Sequence, residues 1–579
     1  MLNHWSMTCC WLLLVSLNFS LSLWASEPRS AMDLVSADTA LCLEITGLEQ
    51  AWGDLESGPL VERLRAFPPF QRLLESPGFQ QWQALNQHVV NQTGTTISAA
   101  LRQLFARSLV VAIELDVTGR PRGILIGEAH DEAAVRAAIA AWQKLEPNTV
   151  VTKKTHHGAS YFERSRQKTS KDTLYFAVAD RWFAISDHET LLHDVIDRFT
   201  AGADGAAASG SLKSMPQSVK YSEARNRLKD DAFAYVHINA RAWDHGIEES
   251  SRGDKDLENL SAIWKGVDWV SASLHLDQGI VFEAVVNLDA EQLPPHWTQF
   301  VTQPVAESSW LQQIPPESLL AFAGGFDLAP LVRFAFSQIP PGERAEIALM
   351  CRVTQSLFGG YDLLETIIPA LGRDFGGFVT IRTNSTSGKT TLDGAVGFSL
   401  GSLAEEPLLS GLDQGLEAGL RLLAAYHSAQ GNSIVTVKRE EKDAVRVRTL
   451  AGEAPFPIAY GLKQDKLIVA GSSDQLQTSL ETLGQPQSVG RLHDHARRFF
   501  PGSHQLIWLD CVRTREVLAK SGPELASSLT FEAVEETARL KRRFEKVRPL
   551  LSVVDSLFLA GKLEPDRISL IFGGGFDQP

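Results

Sequence analysis

A chain of 579 residues is too long for one hydrophobic core, so two large domains are the first expectation. With 44% hydrophobic and 21% charged residues it lies in the ordinary globular range, which excludes wholesale disorder. The formal charge of -14 argues against a nucleic-acid partner, because neutralising phosphates needs a basic surface, and it favours solubility.

Trp11 to Ala25 is a mostly apolar run, followed by small Ala25-Ser26 and polar Glu27-Pro28. A membrane span needs about 20 residues, so the run reads as a secretory signal peptide over residues 1–26. No Lys or Arg precedes it, and an uncleaved N-terminal anchor is the alternative. Membrane contact is expected only through this segment, and the rest of the chain is expected in the periplasm or outside the cell. Beyond the signal stand Cys42, Cys351 and Cys511. Three cysteines cannot all pair within one chain, and their apolar neighbours favour buried free thiols. A Cys42–Cys351 or Cys351–Cys511 bridge stays open.

Thr39 to Thr46 reads as a strand, and Gly58 to Val90 as amphipathic helices broken at Pro68-Pro69 and Pro77-Gly78. A short helix (Ile97 to Phe105) leads to strands at Leu109–Leu115 and Gly123–Glu128, and Asp131 caps a helix through Leu145. Thr149–Thr152 pairs with Ser160–Glu163. Tyr175–Ala179 and Trp182–Ile185 then form a hairpin across Asp180-Arg181, and Ser186-Asp187 opens a helix. Ala201 to Ser211 is low in complexity and is expected to be a loop. Val219 to Leu228 is a helix, Ala232 to Ile238 a strand, Asp244 to Glu258 a charged excursion, and Trp269–Leu276 with Ile280–Leu288 a closing hairpin.

The second half repeats this order. Leu319–Ala323, Phe375–Ile381 and Leu392–Leu400 answer the first three strands, with the Asp413–Ala425 helix behind them. Ile434–Lys438 with Ala444–Thr449 answers the next pair, and Pro457 to Leu480 answers the hairpin and helix at Leu174 to Leu192. Gln505–Leu509 and Val554 to Phe572 complete the series. The offset between matched segments drifts along the chain, as loop insertions would make it. The strands mostly alternate, Ser271, Ser273 and His275 against Ala272, Leu274 and Leu276. That pattern implies antiparallel sheets, one face under helices and the other wet or packed on a neighbour. The expected fold is α+β: two tandem, internally duplicated domains, 31–290 and 317–579, each a mostly antiparallel sheet covered by helices. Residues 291–316, rich in proline, are expected to be an extended linker.

No catalytic, cofactor-binding or metal-ligating residue is assigned from the sequence. His188 and His193 look like a zincin helix, but zinc there needs i and i+4, and an i+5 spacing turns the second ring about 140° away. Adjacent His156 and His157 would point to opposite faces of a strand, and His493 and His495 do not share a helix face. Ser165–Lys168 and Lys520–Gly522 mimic penicillin-recognising motifs in the wrong local structure. Ser387–Thr390 lacks the first P-loop glycine, having Thr383 there, and Gly573–Gly575 has no helix after it. The basic stretch Arg539 to Arg548 reads as a solvated helix face, and most of the 13 tryptophans as core.

The series SADTALCLEI, SPGFQQWQ, LRQLFARSLVVAIEL, ILIGEAHDEAAVRAAI and YFAVADRWFAISDHETLLHDVID resembles exported bacterial proteins, frequent in planctomycetes, grouped as domain-of-unknown-function 3352. The resemblance covers most of the first half and, more loosely, the second. It implies an extracytoplasmic protein and supplies no catalytic residues. The expected function is therefore a non-catalytic binding or structural module of the cell envelope, with no cofactor, its partner an unknown envelope protein or a small apolar ligand. The alternatives are a hydrolase with a dispersed active site and a carrier holding an apolar ligand between the half-domains.

Overall fold

The computed structural model describes residues 30–576, apart from 58, 146–148, 167–168, 210–212, 277–278, 340, 384–389, 402–404, 431–433, 443–444, 453–456, 464, 486–491, 493–501 and 530–533. The expected signal segment, His493, His495 and Ser387 lie outside the described residues. The chain forms two compact units that divide between Asn287 and Leu288. Each is an antiparallel sheet with helices, an α+β architecture.

In the first unit the strands are β1 (Leu41–Thr46), β2 (Ser108–Leu115), β3 (Pro121–Glu128), β4 (Thr149–His156), β5 (Ala159–Arg166), β6 (Thr169–Ala179), β7 (Trp182–Ser186), β8 (Ala234–Asn239), β9 (Val267–His275) and β10 (Gly279–Leu288). Their order across the sheet is β4-β5-β6-β7-β3-β2-β1-β8-β9-β10. One face packs on the helix Glu189–Ser209, the helix Val219–Arg225 and the 3₁₀ turn Ala31–Leu34, burying Val110, Ile126, Ala184 and Leu192. On the other face Phe162, Phe176 and Phe183 pack with Val135 and Trp142 of the helix Glu132–Leu145.

The second unit contains β11 (Leu320–Gly324), β12 (Leu371–Thr383), β13 (Thr390–Leu400), β14 (Thr436–Lys442), β15 (Val445–Ala451), β16 (Ala459–Lys463), β17 (Lys466–Ala470), β18 (Gln505–Asp510), β19 (Ser556–Glu564) and β20 (Arg567–Gly575). The order is β14-β15-β16-β17-β13-β12-β11-β18-β19-β20. Adding ten to each strand number of the first order gives the second. Registers agree as well. The row Ala112–Cys42–His237–Ser271 crosses β2, β1, β8 and β9, and Phe378–Ala321–Trp508–Phe558 crosses β12, β11, β18 and β19 in the same places.

Four expectations need correction. Residues 291–316 are not an extended linker: they contain the helix Pro295–Val301 and the 3₁₀ turn Ser309–Gln313. That turn stands before β11 as Ala31–Leu34 stands before β1, and Trp310 is buried over Gly376 and Gly397. Ala201 to Ser211 is helical as far as Ser209, in keeping with the high helix propensity of alanine. The charged excursion after Asp244 is two helices, Asp244–Ser251 and Lys255–Trp264. Finally, the polar side of β9 is the covered one: Ser271, Ser273 and His275 are buried, whereas Ala272 and Leu274 are half-buried. Alternation identified the strand and its two faces, but polarity misassigned which face the helices cover.

Candidate functional site

The hairpin β4–β5 turns through His157-Gly158, with φ of 48° and 87°. Two left-handed residues in succession make the turn that suits a two-residue hairpin loop, where Asn-Gly is the usual pair. His157 is therefore not a strand residue, and the rule that neighbours point to opposite faces does not apply to it. Its ring folds back on His156, with centroids 4.1 Å apart. The other ring face of His156 meets His193, 3.9 Å away and nearly parallel at 2°.

The helix Glu189–Ser209 brings Glu189, His193 and Asp197 to this hairpin, since residues four apart share a helix face. Asp197 Oδ1 lies 2.9 Å from His157 Nδ1 and 2.9 Å from His156 Nε2. The first contact is a hydrogen bond. The second is only a close approach, because His156 Nε2 has no partner in hydrogen-bonding direction. The His193 Nε2 is also buried without a hydrogen bond. Burial, and secondarily the neighbouring His156, pushes the His193 imidazole below its ordinary value, so it favours the neutral form. His156, His157 and Asp197 each offer one ligand atom, and these atoms lie within 4.8 Å of one another.

One turn earlier, Glu189 Oε1 accepts from Tyr161 at 2.6 Å and from Lys154 at 2.8 Å, while Lys154 also reaches Glu163 at 2.5 Å. Bonds to Glu163 and Glu189 push the Lys154 ammonium up, and the bonds from Lys154 and Tyr161 hold Glu189 down. The Tyr161 ring stands edge-on to His193, 5.0 Å away. These contacts clamp the helix to the hairpin and fix where His193 and Asp197 point.

A second polar group lies inside the same unit, under the helix Val219–Arg225. His237 Nδ1 and Ser271 Oγ are 2.7 Å apart in the row that includes Cys42, and Tyr221 packs edge-on against His237. The next row holds Glu44, Tyr235 and Ser273. Burial pushes the Cys42 thiol up to about 12 and His237 down to about 4. A thiol kept protonated beside an imidazole kept neutral, both sealed from solvent, is packing and not a nucleophile with its base.

In the second unit a cleft of about 530 Å³, counting the solvent it opens to, runs between Trp310, Pro315 and the helix Ser473–Thr482. The three cysteines among the described residues are free: Cys42 and Cys511 are buried, Cys351 half-buried. Lys520–Gly522 lies within the helix Cys511–Leu529, and Ser165 is on β5. His188 precedes its helix and is not in the imidazole cluster. In the sequence the His156-His157 pair and His193 are separate features, well apart along the chain. The missing signal was the i, i+4 pair His193/Asp197, which is meaningful only once the hairpin is known to lie against that helix.

Among the described residues no helix is long and apolar enough to cross a membrane. No known protein family and no curated protein sequence matches the chain. Two crystal forms of TP0453, III and I, are similar to it at 11% identity and a TM-score of 0.23, over 46% of this chain and 80% of theirs.

Proposed function

We propose that this is an exported, non-catalytic binding module of the cell envelope, built from two copies of one α+β unit, with its binding chemistry in the first copy. The observation that carries the reading is the agreement of strand order and register between the units. Ten strands can be arranged in very many orders, and common descent is the economical source of a full match. Export rests on the signal-like residues 1–26 and on the resemblance to the exported planctomycete-type proteins. The absence of catalysis rests on chemistry: the row that joins thiol, imidazole and hydroxyl is sealed and held in unreactive protonation states.

Fractionation of cells making the full chain, combined with crosslinking in the intact envelope, tests this reading. The expected result is recovery outside the cytoplasm with a crosslinked envelope protein, and no turnover of ester, peptide, phosphate or glycoside substrates. Cytoplasmic recovery overturns it. So does turnover that a point substitution in this chain abolishes.

A further inference from the structure

We propose that His156, His157 and Asp197 bind a divalent d-block cation of the zinc type. This goes beyond the envelope-module reading and depends on neither export nor duplication. Two imidazole nitrogens and one carboxylate oxygen are the donors that zinc prefers, whereas calcium and magnesium take oxygen. Donor separations fit as well. A tetrahedral ion with bonds of about 2.0 Å holds its ligands about 3.3 Å apart. Asp197 Oδ1 lies 2.9 Å from each imidazole nitrogen and the three ligand atoms lie within 4.8 Å of one another, so modest side-chain adjustment admits the ion.

Buried polar atoms normally find hydrogen-bond partners, yet His156 Nε2 meets Asp197 Oδ1 at 2.9 Å without hydrogen-bond geometry. A cation held between the three donors satisfies that nitrogen and leaves the fourth position to water. The Tyr161–Glu189–Lys154 clamp holds the helix that carries Asp197 against the hairpin that carries His156 and His157.

The fold itself does not ask for these residues. In the second unit the position matching His156 holds Lys442 by strand register. The helix Ser473–Thr482 starts three residues after β17, as Glu189 starts three after β7. On that count Gln477 and Glu481 stand for His193 and Asp197, and they form an ordinary 2.7 Å hydrogen bond. An equivalent hairpin and helix are therefore maintained without any imidazole.

The test is calorimetric titration of the chelator-stripped full chain with zinc chloride, with calcium chloride as the hard-cation control. Saturable one-to-one zinc binding is expected, with no calcium binding. His157→Asn keeps a turn-favouring Asn-Gly pair, and with Asp197→Asn it should weaken zinc binding by about tenfold or more, judged by typical ligand losses. His188→Ala, an imidazole outside the cluster, should leave affinity unchanged. Circular dichroism confirms that each variant is folded. No saturable zinc binding overturns the proposal, as does equal calcium binding, or a loss in His157→Asn and Asp197→Asn no greater than in His188→Ala.

Discussion

The two units exchange the chemistry of their cores at matching places. In the first, Phe162 and Phe176 stack across β5 and β6 at 5.1 Å, with Trp142 beside them. At the same register the second unit holds Arg448 and Tyr460, and both bond to Asp413 of the helix Glu406–Gln430, Arg448 at 2.8 Å and Tyr460 at 2.7 Å. Glu417, one helical turn on, joins Arg448 to Arg439 and Arg421. Toward the other end of the strand order the exchange reverses: the positions of His237 and Ser271 in the first unit are held by Trp508 and Phe558 in the second. Turn volumes are traded too. Trp310 sits over Gly376 and Gly397, where the first unit sets the turn Ala31–Leu34 over Val110 and Ile126. Backbone pairing thus maintains the register across loops of different length, while the buried side chains change from one unit to the other.

The sharpest way to break this comparison is Arg448→Met. It leaves Asp413 and Glu417 buried without their shared cation, and breaking a buried ion pair costs about 3–5 kcal/mol. Because Glu417 keeps Arg439 and Arg421, the lower end is expected, read as a reduced urea midpoint with an unchanged slope. A loss below about 1 kcal/mol would mean that the ionic core is ornamental, since that is the level of exposed pairs.

Next in size is the acid sensitivity that His237 confers. Burial, then Lys220, depresses its value to about 4, against an ordinary value near 6.5. Below pH 6.5 the unfolded state binds the proton that the folded state refuses. The contribution is therefore complete above about pH 6.5 and falls away down to about pH 4, by about 3 kcal/mol. His237→Leu with Ser271→Ala removes both partners together, so that neither is stranded. Its stability should then decline less between these pH values by about that amount. An unchanged pH profile would show that other groups carry the acid response.

The smallest effect is expected at the turn. A β-carbon at Gly397 would stand 2.0 Å from the Trp310 ring, so Gly397→Ala should cost about 1–3 kcal/mol by overpacking. In a Trp310→Ala background the same change should cost close to nothing, and a double-mutant cycle reads the coupling directly. Additive costs would refute the volume exchange.

Much of this architecture was legible beforehand. The hairpin at Asp180-Arg181, the Pro68 and Pro77 helix boundaries and the Asp131 cap all follow from local chemistry, and the structure places each within a few residues. The imidazole cluster was not legible. Local rules separate His156, His157 and His193, and they fail here because His157 is a left-handed turn residue and because Asp197 and His193 come from a distant helix. The true side of β9 was hidden for a related reason: Ser271 and His237 satisfy each other inside the core, so polarity no longer marks the solvent face.

By itself the sequence determined the strands and their order in each half, because hydrophobic period and turn residues act over a few positions. Tertiary structure alone decided which polar residues meet and which face of each strand is covered. Those outcomes depend on contacts between segments far apart in the chain, where one residue of register or one left-handed turn redirects a side chain to the opposite face.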